Sequence, residues 1–246
     1  MKHRVLNLGH RGASHDAPQN TLAAFHLANA YGADGYELDV QLSKDGIPVV
    51  IHDFSVDKTT DGSGRVSSFT LEEMKRLDAG SKFSAEFAGE RIPTLEEVFD
   101  VLQADTIVNV ELKTASPGDN GLEDATIALI RGRKLEDRVI VSSFNPFSLL
   151  RVRRRAPELK VGLLYAPDLP LYLRRAWFRF VLKPAALHPR YQMVDAQYMT
   201  WAKKQGYDVN VWTVDDPTDM RHLSGLGVNA IITNRPDVLR DVLAQG

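Results

Sequence analysis

The sequence contains no cysteine. Disulfides, thiolate metal sites and cysteine nucleophiles are thereby excluded together, and a reducing compartment is compatible with the composition. Long apolar runs are also missing: nothing approaches the roughly 18 uninterrupted apolar residues of a membrane span. The opening MKHRVLNLGHRG sets His and Arg where a signal peptide needs its apolar segment, so a cytoplasmic protein is the expectation. Neither sign of charge dominates. Thirty basic against thirty-two acidic side chains leave a formal charge of -2, so no global field draws the chain to nucleic acid or to anionic membranes, and any anion site must be local.

What is present is ordinary globular material. With 246 residues, 43% hydrophobic, one sizeable core forms without covalent staples, and the length matches a one-domain barrel of roughly 250 residues. Nine short apolar, β-branched runs recur at 5–9, 35–42, 47–52, 106–112, 138–144, 160–165, 185–189, 207–214 and 230–234. Helical patterns fit between them at 95–103, 121–134, 146–155, 194–205 and 217–224, and another follows Asn20, with Asn20 as N-cap and Gly32 just past the end. Strands alternating with helices imply βαβ units, and about eight repeats favour a closed (β/α)₈ TIM barrel over an open doubly wound sheet.

One connection is too short for a crossover. Residues 35–43 and 47–52 are joined around Asp45-Gly46, a hairpin dipeptide, so this pair is antiparallel. Equal steps outward from that dipeptide place Asp39 opposite His52. The segment 53–94 is rich in Gly, Ser and Asp, with one short helical stretch near 70–77. It reads as a small inserted subdomain after the third strand-like segment of a single domain spanning 1–246, on the side where barrel loops wall active sites.

Glu37 and Asp39 are two apart on a strand and project from one face. Buried together they repel and lose hydration unless a cation compensates. A hard divalent ion such as Mg²⁺ or Ca²⁺ does this with oxygen ligands, and a bridge to Arg or Lys is the structural alternative. Glu111 and Lys113 repeat the geometry as acid and base, either as an internal salt bridge or as a further metal ligand beside a group that holds an anionic oxygen. His10-Arg11-Gly12 ends the first strand, and Arg11 offers donors suited to phosphate. His52 ends another strand, and two imidazoles near one carboxylate cluster make a donor and acceptor pair. Phe144 and Trp212 are candidate walls of the site, or core aromatics. His188 reads as a satisfied structural histidine, and Arg151, Arg153, Arg154 and Arg155 as cations complementing a helix end.

In this order the elements resemble the glycerophosphodiester phosphodiesterase family. The matching strings are HRGASHDAPQNTLAAF at 10–25, ELDVQLSKDGIPVVIHD at 37–53, VELK at 110–113, SSFNP at 142–146, VNVWTVDD at 209–216 and IITNRPD at 231–237. The resemblance implies a TIM barrel with an insertion after His52-Asp53. It also implies metal-dependent hydrolysis of a glycerophosphodiester to glycerol 3-phosphate and an alcohol, a reaction of glycerol and lipid metabolism. Glu37, Asp39 and Glu111 become metal ligands, His10 and His52 the acid and base, and Arg11 and Lys113 the phosphate contacts. Two positions depart from the family pattern: Gln19 stands where Glu is usual and Asn234 where Asp is frequent.

Rival readings are a phospholipase D-type barrel acting on sphingomyelin or lysophospholipids, a non-catalytic phosphate-binding barrel, and an isomerase or aldolase barrel. The absent cysteines and the 53–94 segment argue against the first. Two histidines beside three carboxylates are a costly assembly that a scaffold does not need. The remaining feature is 171–183, LYLRRAWFRFVLK, with Arg175, Arg179 and Lys183 four apart. It reads as an outer barrel helix with one solvated edge, or as a patch making weak membrane-surface contact.

Overall fold

The computed structural model describes residues 4–114 and 116–245; the ends of the 1–246 span, residues 1–3 and 246, and residue 115 lie outside the described residues. Eight parallel strands close into a barrel: β1 (Leu6–His10), β2 (Gly35–Leu42), β4 (Ile107–Leu112), β5 (Val139–Ser143), β6 (Lys160–Tyr165), β7 (Ala186–Pro189), β8 (Asp208–Val211) and β9 (Ala230–Thr233). The sheet runs β1-β9-β8-β7-β6-β5-β4-β2 and is sealed by β1 pairing with β2. The ninth strand, β3 (Pro48–Val50), lies antiparallel to the far end of β2, beyond the barrel proper. The (β/α)₈ expectation is met, and all nine strand runs fall where their β-branched residues put them.

Around the strands lie α1 (Leu22–Ala30), α3 (Leu95–Asp100), α4 (Leu122–Gly132), α5 (Pro146–Arg155), α8 (Ala196–Gln205), α9 (Pro217–Leu226) and α10 (Pro236–Ala244). The last has no counterpart among the helices expected from sequence; Pro236 opens it and Leu239 and Val242 bury it. Outward strand residues such as Leu38, Val40, Val108, Val110 and Val141 meet these helices in one apolar layer, each burial contributing about 1.5–3 kcal/mol. Inward residues follow the other half of the period-2 alternation. Leu8, Ala230 and Ile232 cluster with Leu6, Ile107 and Trp212, and Glu37, Asp39, Asn109 and Glu111 stand on the same inner face.

Three local expectations are corrected. Asp39 faces Ile51 rather than His52: the Ile51 N–H donates to the Asp39 carbonyl at 2.9 Å. The turn closes between Ser43 and Ile47, with Gly46 at φ 81°. Its loop therefore has three residues with a left-handed third one, and the register shifts by one. Thr21, not Asn20, caps α1, accepting from the Ala24 N–H at 3.3 Å. Residues 171–183 do not form one helix. They form α6 (Leu171–Arg174) and α7 (Arg179–Leu182), broken where Ala176 takes φ 49°. Arg179 folds back to donate to the Arg175 and Ala176 carbonyls that the break releases.

Between Asp53 and Thr94 the described residues hold no barrel strand, only α2 (Leu71–Met74) and two short 3₁₀ turns. This segment has its own apolar cluster, with Val56, Val66, Met74 and Ile92 packing onto Val49 and Ile51 of the hairpin. That contact fixes the segment over the C-terminal rim of the barrel. Among the described residues no helix is long and apolar enough to cross a membrane.

Candidate active site

The register of β2 and β4 pairs Asp39 with Glu111 and Glu37 with Asn109. Glu37, Asp39 and Glu111 are buried, and each offers a carboxylate oxygen within 4.8 Å of the others. Two cations balance part of this charge. Arg11 Nε lies 3.1 Å from Asp39 Oδ2, and Lys113 Nζ lies 3.0 Å from Glu111 Oε1 and 3.6 Å from Asp39 Oδ1. Burial, then repulsion from Asp39 and Glu111, pushes the Glu37 carboxyl well up. Burial also raises Glu111, and Lys113 opposes this only in part. For Asp39 the order reverses: burial alone would raise it, but Arg11 and Lys113 together hold it below the usual carboxylate range.

Ionised together, the three carboxylates would outnumber the two cations in a dry setting, which is why Glu37 and Glu111 are pushed up. Asp39 Oδ1 is fully buried and has no hydrogen-bond partner among the described residues. An all-oxygen donor set with an orphaned carboxylate oxygen fits a hard divalent cation, so Glu37, Asp39 and Glu111 can hold a metal ion.

His10 and His52 flank this cluster by different means. His10 sits at the end of β1 with Nδ1 2.7 Å from Asn234 Oδ1 and Nε2 3.9 Å from Glu37 Oε2. Burial, reinforced by Arg11, lowers its pKa to about 4. His52 follows β3, where the ladder has already ended, and is positioned by Gln41. The Gln41 amide donates to the carbonyls of Ile51, His52 and Asp53 at 2.9, 3.1 and 2.8 Å. His52 Nδ1 lies 2.7 Å from Asp53 Oδ1, and burial lowers its pKa as well.

Both histidines open onto one cavity of about 110 Å³, lined also by Arg11, Glu37, Asn109, Glu111, Phe144, Leu164 and Trp212. Phe144 and Trp212 meet edge to face at 5.4 Å, and the Trp212 indole N–H donates to the His188 carbonyl at 2.8 Å. Asn109 lines the same cavity and is buried, and neither its amide nitrogen nor its oxygen has a partner among the described residues. A wider cavity of about 460 Å³ shares His10 and Arg11 and runs out under the inserted segment past His15, Gln19, Lys58, Lys82 and Phe83. The paired cavities suit a diester: one phosphate at the junction and one arm in each direction.

Residues 10–238 match the model of the glycerophosphoryl diester phosphodiesterase family. The chain belongs to this family. A glycerophosphodiester phosphodiesterase of Caldanaerobacter subterraneus subsp. tengcongensis is 46% identical over 245 residues, covering 99% of each chain. One of Bacillus subtilis is 33% identical, covering 97% of this chain and 86% of its own length. Among solved structures, a phosphodiesterase of Oleispira antarctica in complex with the product sn-glycerol-3-phosphate superposes with a TM-score of 0.89. It is 33% identical and covers 98% of this chain and 96% of that one.

The two departures from the family pattern both touch the site. Gln19 Oε1 accepts from Arg11 Nη1 at 2.6 Å, so the guanidinium is steered by a neutral oxygen. Asn234 binds His10 directly, and its own Nδ2 donates to Asp215 Oδ2 at 2.7 Å. Asn20, which does not cap the helix, donates from Nδ2 to Asp39 Oδ2 at 2.9 Å. Asn20, Gln41, Asp215 and Asn234 contact the site residues or their neighbours, and Asn109 lines the cavity; none of them was assigned to the site from the sequence. For Asn109 the signal was there: it stands two positions before Glu111 and so shares its face.

Proposed function

We propose that the chain hydrolyses glycerophosphodiesters to glycerol 3-phosphate and an alcohol, with a divalent cation, Mg²⁺ or Ca²⁺, held by Glu37, Asp39 and Glu111. The observation that carries this reading is the buried triad of carboxylates within 4.8 Å of one another, flanked by two histidines on a single cavity. When bound, the cation supplies electrostatic stabilisation of a phosphoryl oxygen. Arg11 and Lys113 neutralise further phosphoryl charge from side chains already fixed by Gln19, Asp39 and Glu111, so little reorganisation is needed as charge develops.

His10 and His52 are the acid and base. Asp215 accepts from the Asn234 amide nitrogen, which turns Asn234 Oδ1 toward His10. His10 Nδ1 must then carry the proton, leaving its Nε2 lone pair to take a proton from an attacking hydroxyl of water or of the glycerol arm. Asp53 holds His52 Nδ1 with a full carboxylate, which opposes the lowering of its pKa by burial and orients the ring for proton donation to the departing alkoxide. Phe144, Leu164 and Trp212 give the small cavity a carbon-facing wall, and Asn109 adds an unpaired donor and acceptor for hydroxyls. That combination is suited to glycerol. The reading takes 1–246 as one barrel domain with 53–94 as an inserted wall.

The test is purified protein with glycerophosphocholine, glycerophosphoethanolamine and a lysophospholipid, each with Mg²⁺, Ca²⁺ or EDTA. Metal-dependent release of glycerol 3-phosphate is expected. Absence of phosphodiester cleavage under every metal condition would sink the proposal, and cleavage confined to the lysophospholipid would move it to a lipid phosphodiesterase.

A further inference from the structure

Nine large apolar side chains stand exposed among the described residues, and six belong to one surface: Phe147, Leu171, Tyr172, Trp177, Phe180 and Val181. Phe180 and Val181 are 67% and 70% exposed, values far from those of a barrel helix with one solvated edge. The break between α6 and α7 causes this, because two four-residue helices cannot turn a single stripe toward the sheet. Only Ala176 and Leu182 of this stretch are buried. Phe178 ties the rest together, meeting Phe147 at 5.6 Å and Tyr172 at 6.5 Å between ring centroids. Phe147 stands in the first turn of α5, directly after β5, so the patch begins at the same C-terminal rim that carries the catalytic cavity.

The charge of this surface is of one sign. No acidic residue stands between Asp168 and Asp195, and Asp168 lies 3.5 Å from Arg190. Arg174, Arg175 and Lys183 are exposed and make no ion pair among the described residues. Aromatic side chains interleaved with unpaired cations, on an element too short to span a bilayer, are the chemistry of an interfacial contact.

We propose that this surface docks the protein on anionic lipid bilayers, with the catalytic rim at the membrane side. A second copy of the chain is the poorer partner: a two-fold contact through this patch would set Arg174, Arg175 and Lys183 against their own equivalents, with no carboxylate between. The membrane contact needs neither metal nor turnover, so it stands or falls separately from the phosphodiesterase reading.

The experiment is co-sedimentation of the full chain with vesicles of phosphatidylcholine alone and of phosphatidylcholine with phosphatidylglycerol, at low and high salt. Binding to the anionic vesicles that weakens with salt is expected. Replacing Arg174 and Arg175 by Ala should weaken it roughly 25-fold, at about fivefold per cation near the surface. Phe180→Ser with Val181→Ser should remove it. These side chains are solvent-exposed, so the melting temperature and the hydrolysis of soluble glycerophosphodiesters should match the parent. No binding to anionic vesicles at low salt, or equal binding by parent and variants, overturns the proposal. So does a dimer in sedimentation velocity that Phe180→Ser dissociates, which would assign the surface to a second copy.

Discussion

His10 Nδ1 lies 2.7 Å from Asn234 Oδ1, so the histidine at the end of β1 is oriented by an amide rather than by a carboxylate. Asn234→Ala removes the orienting partner and should lower kcat by roughly 10–100-fold, with a smaller change in KM because Asn234 does not belong to the carboxylate or cation set. Asn234→Asp adds charge beside His10 and replaces the hydrogen bond to Asp215 by a contact between two carboxylates. His10 is held down to about 4 by burial and by Arg11. A carboxylate partner stabilises its protonated form, raises that pKa and moves the acidic limb of kcat/KM to higher pH. A pH–rate profile superimposable on the parent would show that Asn234 does not act through His10.

Glu37 and Glu111 give a stability signature that does not depend on turnover. Burial raises both carboxyls, Glu111 to about 7 from an ordinary 4.5. In EDTA the folded state therefore holds protons that the unfolded chain has released, and stability should fall as pH rises from about 4.5 to about 7. A bound divalent cation displaces those protons. Its presence should flatten the fall and add about 2.7 kcal/mol at a hundredfold excess over Kd. Thermal unfolding with EDTA, Mg²⁺ and Ca²⁺ across that range is the measurement. Glu37→Gln should shrink the cation-dependent gain; curves identical with and without cation would argue against a metal site.

The strands were legible because each is a short β-branched run bounded by turn residues, and the carboxylates because a period of two sets Glu37 beside Asp39 and Glu111 beside Lys113. The hairpin register was missed by one because Asp45-Gly46 serves equally in a two-residue turn and in the three-residue loop that formed. The 171–183 stretch has helical spacing over its whole length, and nothing in that spacing reveals a break at Ala176. The supporting amides were harder still. Asn20, Gln41 and Asn234 act through partners 19, 10 to 12 and 224 positions away, and a neutral side chain leaves no charge pattern to follow. Only the fold brings them to the site.

Asn20 combines two duties that substitution can separate. Its φ of 60° lies in the left-handed region, and its amide holds the buried Asp39 carboxylate. Asn20→Ala loses the hydrogen bond and strains the backbone, so about 2–4 kcal/mol of stability should go. Asn20→Gly loses only the hydrogen bond and should cost distinctly less, because glycine adopts that φ freely. Urea denaturation of both variants measures the difference. Equal losses would mean that backbone strain plays no part at this position.

Gly162 tests the interior of the barrel below the site. A Cβ built there would stand 2.5 Å from His188 Nε2, and His188 is fully buried, with Nε2 3.1 Å from Asn210 Nδ2. The ring cannot rotate away without giving up that contact, so Gly162→Ala should destabilise by about 1–3 kcal/mol through overpacking. His188→Ala alone should also destabilise, since it opens a cavity and strands the Asn210 amide. Together the two changes should cost less than their sum, because the methyl group then enters space the ring has vacated. Strict additivity in the double-mutant cycle would show that the two side chains do not compete for one volume, and that His188 is held by something other than the close approach of β6.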